Sequence, residues 1–434
     1  MQNAGKESTR LTKLEKSWVL YDWANSVYAT IMMAAVFPVF FAGVVPNNQG
    51  DYWWSIGTSI AMVILALTAP IVGAFADYKG NKRKLFILFL GLGLVFTLYS
   101  AITDKWQGML VGYVLSHIGF SGSCLVYDSF LPDVTTFERM DKVSSYGYAL
   151  GYIGGSTIPF IISIALIQFG KNFGIDGTLA VKISLVIAVL WWGLFSIPFL
   201  KNVKQTHWVE KPKNGVFKAT FKSIGHTAMK IFKNKAIFFF MLAYFFYIDG
   251  VGTVIKMSTA YGSTLGINAT GMILALLVTQ LVAMPCSIWF SKLSKKYGSL
   301  KMLRAAVSVY LLICVTGFIM GFGLEEKWFG VDTALVLFWV LAFMVGTVQG
   351  GIQAISRSHF GKLVPPENAG EFFGFFDIFG KFASVLGPAL YAMIKGTTGR
   401  SDYAILSIIV LFLAALIIMA LKGKEMEAHD GQAK

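Results

Sequence analysis

With 434 residues, 56% of them hydrophobic and only 14% charged, the chain is too apolar for a soluble protein, whose domains carry about 25% charged residues. Its net charge of +14 calls for no nucleic-acid partner, because the basic residues fall in loops between apolar runs, where anionic lipid is the simpler counter-charge. Cys124, Cys286 and Cys314 sit singly in such runs without metal or redox spacing and read as small buried hydrophobes, so neither a metal nor a cofactor is expected.

Runs long enough to cross ~30 Å of hydrocarbon as helices recur along the whole length. They predict an all-α polytopic membrane protein with twelve transmembrane helices, at about 18–44, 53–76, 85–103, 108–131, 144–169, 179–200, 236–261, 269–291, 302–323, 333–356, 371–395 and 402–421. The first run is too long for a signal peptide and lacks a small-residue cleavage site, so it is expected to remain as an anchor. An even number of spans puts both termini on one side. With that side cytoplasmic, the inner segments hold 29 of the 37 Lys and Arg, and the outer loops only six (Lys105, Lys171, Lys182, Lys327, Lys395, Arg400). The positive-inside rule therefore sets both termini in the cytoplasm, and the short loops suit a bacterial inner membrane.

In the first span, Asp22-Trp-Ala-Asn-Ser26 puts a carboxylate among apolar residues. Such a group is disfavoured by roughly 2.5–3.5 kcal/mol at the bilayer centre, and chains that keep one commonly use it on a substrate or ion path. Asp22, Asn25 and Ala29 share one helix face, as do Tyr21, Asn25 and Tyr28, and the carboxylate, amide and phenols read as a polar wall for an amine or a proton. The alternative is that Asp22 braces the helix end. After the second span comes Gly73-x-x-x-Asp77-Tyr-Lys-Gly80-Asn-Lys-Arg83-Lys84, a short basic turn suited to a cytoplasmic gate in which the aspartate meets neighbouring helix ends. His117 is either a proton carrier or a ring hydrogen-bonded within the bundle. Asp128, Asp133 and Glu138 read as gate or loop acids, and Tyr148 and Tyr152 share one face from which they can stack on a solute.

The longest hydrophilic stretch, 201–235, carries nine basic residues and separates a half at 1–200 from a half at 236–434. Its second part mixes Phe217, Phe221, Ile224, Met229, Ile231 and Phe232 with Lys and His. It is either an amphipathic helix at the membrane surface or a solvated linker. In the seventh span Asp249 and Lys256 lie two turns apart beside Gly250 and Gly252. Asp249, near mid-span, is the strongest single candidate for ion or substrate contact; the alternative is a structural pair with Lys256 snorkelling outward. Gln349 and Gln353 in the tenth span are expected to line a cavity, with Arg357 at its cytoplasmic mouth paired with an acid. Asp377 and Lys381 in the eleventh are four apart with the acid first, a favourable ion-pair orientation. They read either as a brace or as a site where Lys381 holds a substrate carboxylate.

The halves repeat each other. Lys295-Lys-Tyr-Gly298-Ser-Leu-Lys301 follows the eighth span as the 77–84 loop follows the second, with Lys295 in place of Asp77. Pro132 and Pro365 each close a fourth span of their half. Tyr146-Gly-Tyr148 and Phe373-Gly-Phe375 each open a fifth, with Pro159 and Pro388 further on. Six plus six duplicated spans resemble the major facilitator superfamily, whose two halves rock around a midplane site. The 73–84 loop resembles its motif between spans two and three. Four segments resemble, more narrowly, the vacuole-effluxer-like branch: Trp18–Tyr28; Tyr127–Pro132 with Val143–Gly155; Tyr244–Gly250; and Gln349–Ser358 with Phe372–Gly374 and Gly380–Pro388. That branch comprises yeast vacuolar amino-acid effluxers linked to autophagy and many bacterial relatives, and the resemblance covers nearly the whole chain.

The resemblance implies a secondary transporter of a small polar organic solute, amino acids in the fungal members, working by alternating access. It also favours Lys381, whose Gly-Lys segment belongs to the shared pattern. Gly-x-x-x-x-Gly-Lys-[Ser/Thr] does not occur, so ATP is not the expected energy source. Proton coupling through Asp22 or Asp249 is expected, with sodium coupling or uncoupled exchange as alternatives. The five His are too scattered for a metal-dependent membrane enzyme. A lipid or amphiphile flippase and a non-transporting sensor or scaffold are the rival readings. A monomer meeting solute, H+ and membrane lipid is expected.

Overall fold

A chain crossing hydrocarbon must satisfy its own N–H and C=O groups, and a helix does so within one segment. The computed structural model describes residues 10–212 and 215–427, apart from the side chains of residues 48, 217, 269, 270, 273 and 381–384. Among these, twelve helices are long and apolar enough to span a membrane. The first six are α1 (Lys13–Val44), α2 (Gly50–Asp77), α3 (Asn81–Ile102), α4 (Trp106–Ser129), α5 (Phe137–Phe173) and α6 (Gly177–Asn202). A further helix, α7 (Val216–Lys233), lies in the linker, so that segment is helical. The second six are α8 (Lys235–Thr264), α9 (Ala269–Tyr297), α10 (Ser299–Glu325), α11 (Val331–Leu363), α12 (Ala369–Thr398) and α13 (Ser401–Lys422).

Local chemistry sets the starts. Thr12 and Glu15 form a capping box at α1, and the side chains of Asp176, Asn234 and Asn268 accept from first-turn N–H groups of α6, α8 and α9. Gly80 takes φ 74° to turn the chain into α3. The tenth span, expected to end at 356, runs on to Leu363. Arg357 therefore sits within α11, just beyond the expected end of the span. Two single π-helical segments widen α1 at Ala29–Ala35 and α5 at Gly151–Thr157.

Two apolar cores form, one from Trp18 to Val203 and one from Ile231 to Met426. Leu67, Leu88, Val95, Leu194 and Val336 stand exposed outside them, as lipid-facing positions should. The halves meet where α2 packs on α12, and where the start of α5 packs on the ends of α9 and α11. Gly73, Gly370 and Gly374 allow the first contact. A methyl group on Gly73 would overlap the Gly370 carbonyl, and one on Gly374 would lie 2.7 Å from the Ala69 oxygen. These approaches gather at the end that carries the basic loops.

Candidate functional site

Buried charges of α1, α4 and α11 meet between the halves. Arg357 of α11 sends its guanidinium into the first half. Nη2 donates to Oδ2 of Asp22 at 2.9 Å, Nη1 to Oδ1 of Asp128 at 3.0 Å, and Nε to the Ser144 hydroxyl at 2.9 Å. Nη2 also donates to the Ser144 carbonyl at 3.1 Å. The guanidinium lies 4.6 Å from the Trp18 ring and 4.5 Å from the Tyr148 ring, a sandwich suited to a planar, weakly hydrated cation. Gly147 makes room: a Cβ there would overlap Asp22 Oδ2 and lie 3.0 Å from Arg357 Nη2. Gly151 and Gly155, on the same face of α5, lie against Ser26 and draw α1 close along its length.

Two carboxylates share one guanidinium, so with all three ionised the cluster carries one surplus negative charge. The Asp22 and Asp128 side chains keep 12% and 26% of their exposure and Arg357 only 3%, so the acids face open space. That space is a cavity of about 530 Å³ between the halves. Asp22, Asn25, Thr30, Tyr127, Tyr148, Tyr152 and Ser156 line it from the first half, and Gln280, Gln349 and Gln353 from the second. Phe120, Phe160, Ile255 and Leu276 supply apolar wall. Both π-helical segments border it, through Ala29, Thr30, Tyr152 and Ser156; such wide turns recur at functional sites. A second lobe of about 330 Å³ continues past Tyr148, Gln353 and Arg357 to Tyr244, Phe376 and Asp377.

Towards the basic loops, two latches join the halves. Asp77 accepts from the Gly370 and Glu371 N–H groups at 2.7 and 2.8 Å, where α12 begins. A carboxylate there satisfies orphan donors and meets the positive end of the helix dipole. Asp141 of α5 reaches into the second half. It takes hydrogen bonds from Ser358 at 2.6 Å, Ser299 at 2.8 Å and Ser294, and pairs with Lys362 at 2.7 Å. The second-half loop with Lys295 in place of an acid thus receives its carboxylate from the other half.

Of the residues expected from the sequence, Asp22, Asn25, Gln349 and Gln353 line the first lobe and Asp377 the second. Asp128 and Arg357 join them at the cavity floor. Gly73 and Asp77 sit at the α2–α12 contact, with Gly80 in the turn beyond. Others lie elsewhere. Asp249 is fully buried inside the second half and lines neither lobe; its Oδ2 accepts from the Gly387 N–H at 2.9 Å, next to Pro388 inside the continuous helix α12. Lys256 is exposed on the same helix, away from both lobes. Tyr28 is fully buried in the first half, its hydroxyl 2.8 Å from that of Ser116 and its ring stacked on Phe120. Two three-residue steps carry it roughly 120° around the helix from Asp22, which turns it off the cavity face. Arg83 is exposed, whereas its neighbour Lys82 is buried and paired with Asp133 at 2.8 Å. His117 is buried beside Tyr113. The Lys381 side chain lies outside the described residues. Asp141 and Lys362 were not singled out from the sequence, since both fall outside the predicted spans; Ser144 lies in the shared Val143–Gly155 segment but was given no role there.

The chain is similar to known membrane proteins. The family model described as vacuole effluxer Atg22 like matches residues 54–429. The uncharacterized MFS-type transporter YxiO of Bacillus subtilis (strain 168) is 44% identical over 432 residues, covering 98% of each chain. Autophagy-related protein 22-2 of Aspergillus clavatus is 26% identical over 301 residues, covering 64% of this chain and 46% of the fungal one. The matched region thus spans about half the length of that relative. Among solved structures, the human organic anion transporter MFSD10 superposes with a TM-score of 0.69 over 94% of this chain and 98% of that one. At 14% identity this is a likeness of fold.

Proposed function

Because the chain belongs to the Atg22-like vacuole effluxer family and is a multi-pass membrane transporter of the MFS type, we propose that it carries a small amine-bearing organic solute, an amino acid foremost, by alternating access. One observation carries the reading. Arg357 of the second half is held by Asp22 and Asp128 of the first, at the floor of a cavity between them. Leaving one partner of a buried ion pair unmatched costs about 3–5 kcal/mol. The halves therefore part at that end only when the carboxylates find another cation and Arg357 another anion; a solute ammonium or a proton can supply the first and a solute carboxylate the second.

The cavity volume lies within the range for small-molecule sites. Asn25, Gln349 and Gln353 offer amide donors to a solute carboxylate, and Tyr148 and Tyr152 offer ring faces. Proton coupling falls to Asp22 or Asp128 in this reading, since Asp249 lines neither lobe. The lysine and arginine distribution supports placing the latched end in the cytoplasm, across the plasma membrane of a bacterium.

The test is flux in proteoliposomes holding the purified chain, with labelled amino acids and an imposed pH gradient. Saturable accumulation that a protonophore abolishes is expected, together with its loss in Asp128→Asn. If no amino acid or other amine moves or raises the thermal stability of the folded protein, the reading is wrong.

A further inference from the structure

The linker does more than join the halves. Its first part runs beside the 77–80 turn: the Val209 N–H donates to the Asp77 carbonyl at 2.8 Å, and the Gln205 amide donates to the same oxygen at 3.2 Å. Its second part, α7, lies across the α2–α12 contact. The Thr220 hydroxyl is 3.1 Å from that of Tyr78, and Ser223 donates to Glu371 Oε2 at 2.9 Å. Tyr78 follows the latch acid Asp77, and Glu371 supplies one of the two N–H groups that Asp77 holds. One face of α7 therefore touches both sides of the latch.

The opposite face has a different chemistry. Phe221, Met229 and Phe232 are exposed to 58%, 53% and 69%. Beside them stand four exposed lysines at 218, 222, 230 and 233, and the helix contains no acid. An apolar edge against a basic edge is the pattern of a helix that lies in the headgroup layer. The position agrees, since only Asn234 separates α7 from the membrane helix α8. Lys230 has Glu371 within electrostatic reach, but Lys218, Lys222 and Lys233 have no acid on their own helix, and an exposed basic edge of this kind calls for an anionic surface.

We propose that α7 is a lipid-reading latch: anionic headgroups of the leaflet at the basic-loop end bind its exposed face and favour the state closed at that end. Separating α2 from α12 requires α7 to leave Tyr78 or Glu371, and so to shift from the place where its basic face meets the headgroups. Lipid bound better in the closed state biases the equilibrium toward that state by linkage.

The test uses the full chain, native cysteines replaced, with spin labels at Lys84→Cys and Lys296→Cys, two exposed positions on opposite halves. Distance distributions are compared in nanodiscs of neutral phosphatidylcholine and in nanodiscs containing about a third phosphatidylglycerol. The ratio of short to long distances should rise about fivefold or more with the anionic lipid, and the rise should shrink in high salt. A variant carrying Lys218→Gln, Lys222→Gln, Lys230→Gln and Lys233→Gln should not respond, and Phe221→Ser with Phe232→Ser provides a second variant should the first not fold. Identical distributions in both lipids, or an undiminished response in a folded variant, overturn the proposal. So does a closed fraction that follows protein concentration rather than lipid charge, which would make the occupant a second copy. The readout needs no transported solute, so it stands or falls separately from the transport reading.

Discussion

Arg357 holds two acids at once because a guanidinium presents its donors in a rigid fork, whereas an ammonium is a point charge. Arg357→Lys should keep the charge and lose one of the two carboxylates, lowering exchange flux in proteoliposomes by at least about tenfold, with the fold checked by thermal unfolding. Wild-type flux in the lysine variant would show that the fork is not used. Asp249 gives the opposite expectation. Its carboxylate holds the Gly387 N–H inside the second half, and asparagine retains an oxygen for that bond. Asp249→Asn should leave the pH profile of transport unchanged and reduce stability by about 1 kcal/mol. A variant that exchanges solute but no longer accumulates it would return proton coupling to Asp249. Asp249 was visible in the sequence as a polar residue in an apolar run, and Arg357 as a cation just past the end of one. Which of them faces the cavity was not, because helical periodicity relates residues on one helix and says nothing of what packs opposite.

Packing of whole elements explains why the cluster can form. The α1–α5 contact depends on Gly147, and Gly147→Ala should push Asp22 from Arg357, lowering transport sharply while destabilising the fold by about 1–3 kcal/mol. A methyl group added at Gly91 in α3 would meet nothing within 4 Å, so Gly91→Ala is the control and should leave flux unchanged. The spacing of Gly147, Gly151 and Gly155 was readable from the sequence, but its partner helix was not.

The linker adds a pH-dependent tether outside the membrane. Burial pushes the Asp133 carboxyl up, but the hydrogen bond from His207, the Lys82 charge and the Thr206 hydroxyl outweigh it and hold the group at about 2. The bond to Asp133 raises His207 above its ordinary 6.5, against the opposing effect of partial burial. The two signs differ. The Asp133 contribution is complete above its unfolded value of 3.8 and is lost as pH falls towards 2. The His207 contribution is complete below 6.5 and is lost as pH rises through its elevated folded value. Protease cleavage within 204–210 should therefore quicken as pH rises above neutrality, and His207→Asn should flatten that dependence. The His207 side chain is 37% exposed, so water screens the pair and the effect should be modest. A cleavage rate independent of pH in the wild type would remove the tether.

Across the whole molecule, the two latches join the halves at the basic-loop end. Asp77→Asn leaves one carbonyl oxygen where two carboxylate oxygens met two N–H groups at the start of α12. Hydrogen bonds to a charged group contribute about 1.5–3 kcal/mol, so the variant should favour opening at the basic-loop end by roughly tenfold or more, read from the inter-half distances, with solute affinity little altered. An unchanged distance distribution would reduce the 77–84 loop to a basic turn that obeys the charge rule. Sidedness has its own check: Lys211→Cys in a cysteine-free chain should resist an impermeant thiol reagent in intact cells. Ready labelling from outside would invert the topology.

The sequence by itself determined the twelve helices, their division by a basic linker and the kinship of the halves. Apolar length and the satisfaction of backbone groups are local demands, met within one segment, and the positive-inside bias is a sum over loops that needs no fold. It also marked Asp22 as a costly residue in an apolar run, Asp128 as a gate or loop acid and Arg357 as a cation that pairs with an acid. Only the tertiary structure decided that these three meet, that Asp249 accepts from the Gly387 N–H of α12, that Tyr28 turns into the core, and that Asp141 supplies the acid missing from the 295–301 loop. Each of these is a contact between helices far apart in the chain. Such contacts are fixed by how glycine faces let two helices approach and how each helix is rotated about its axis.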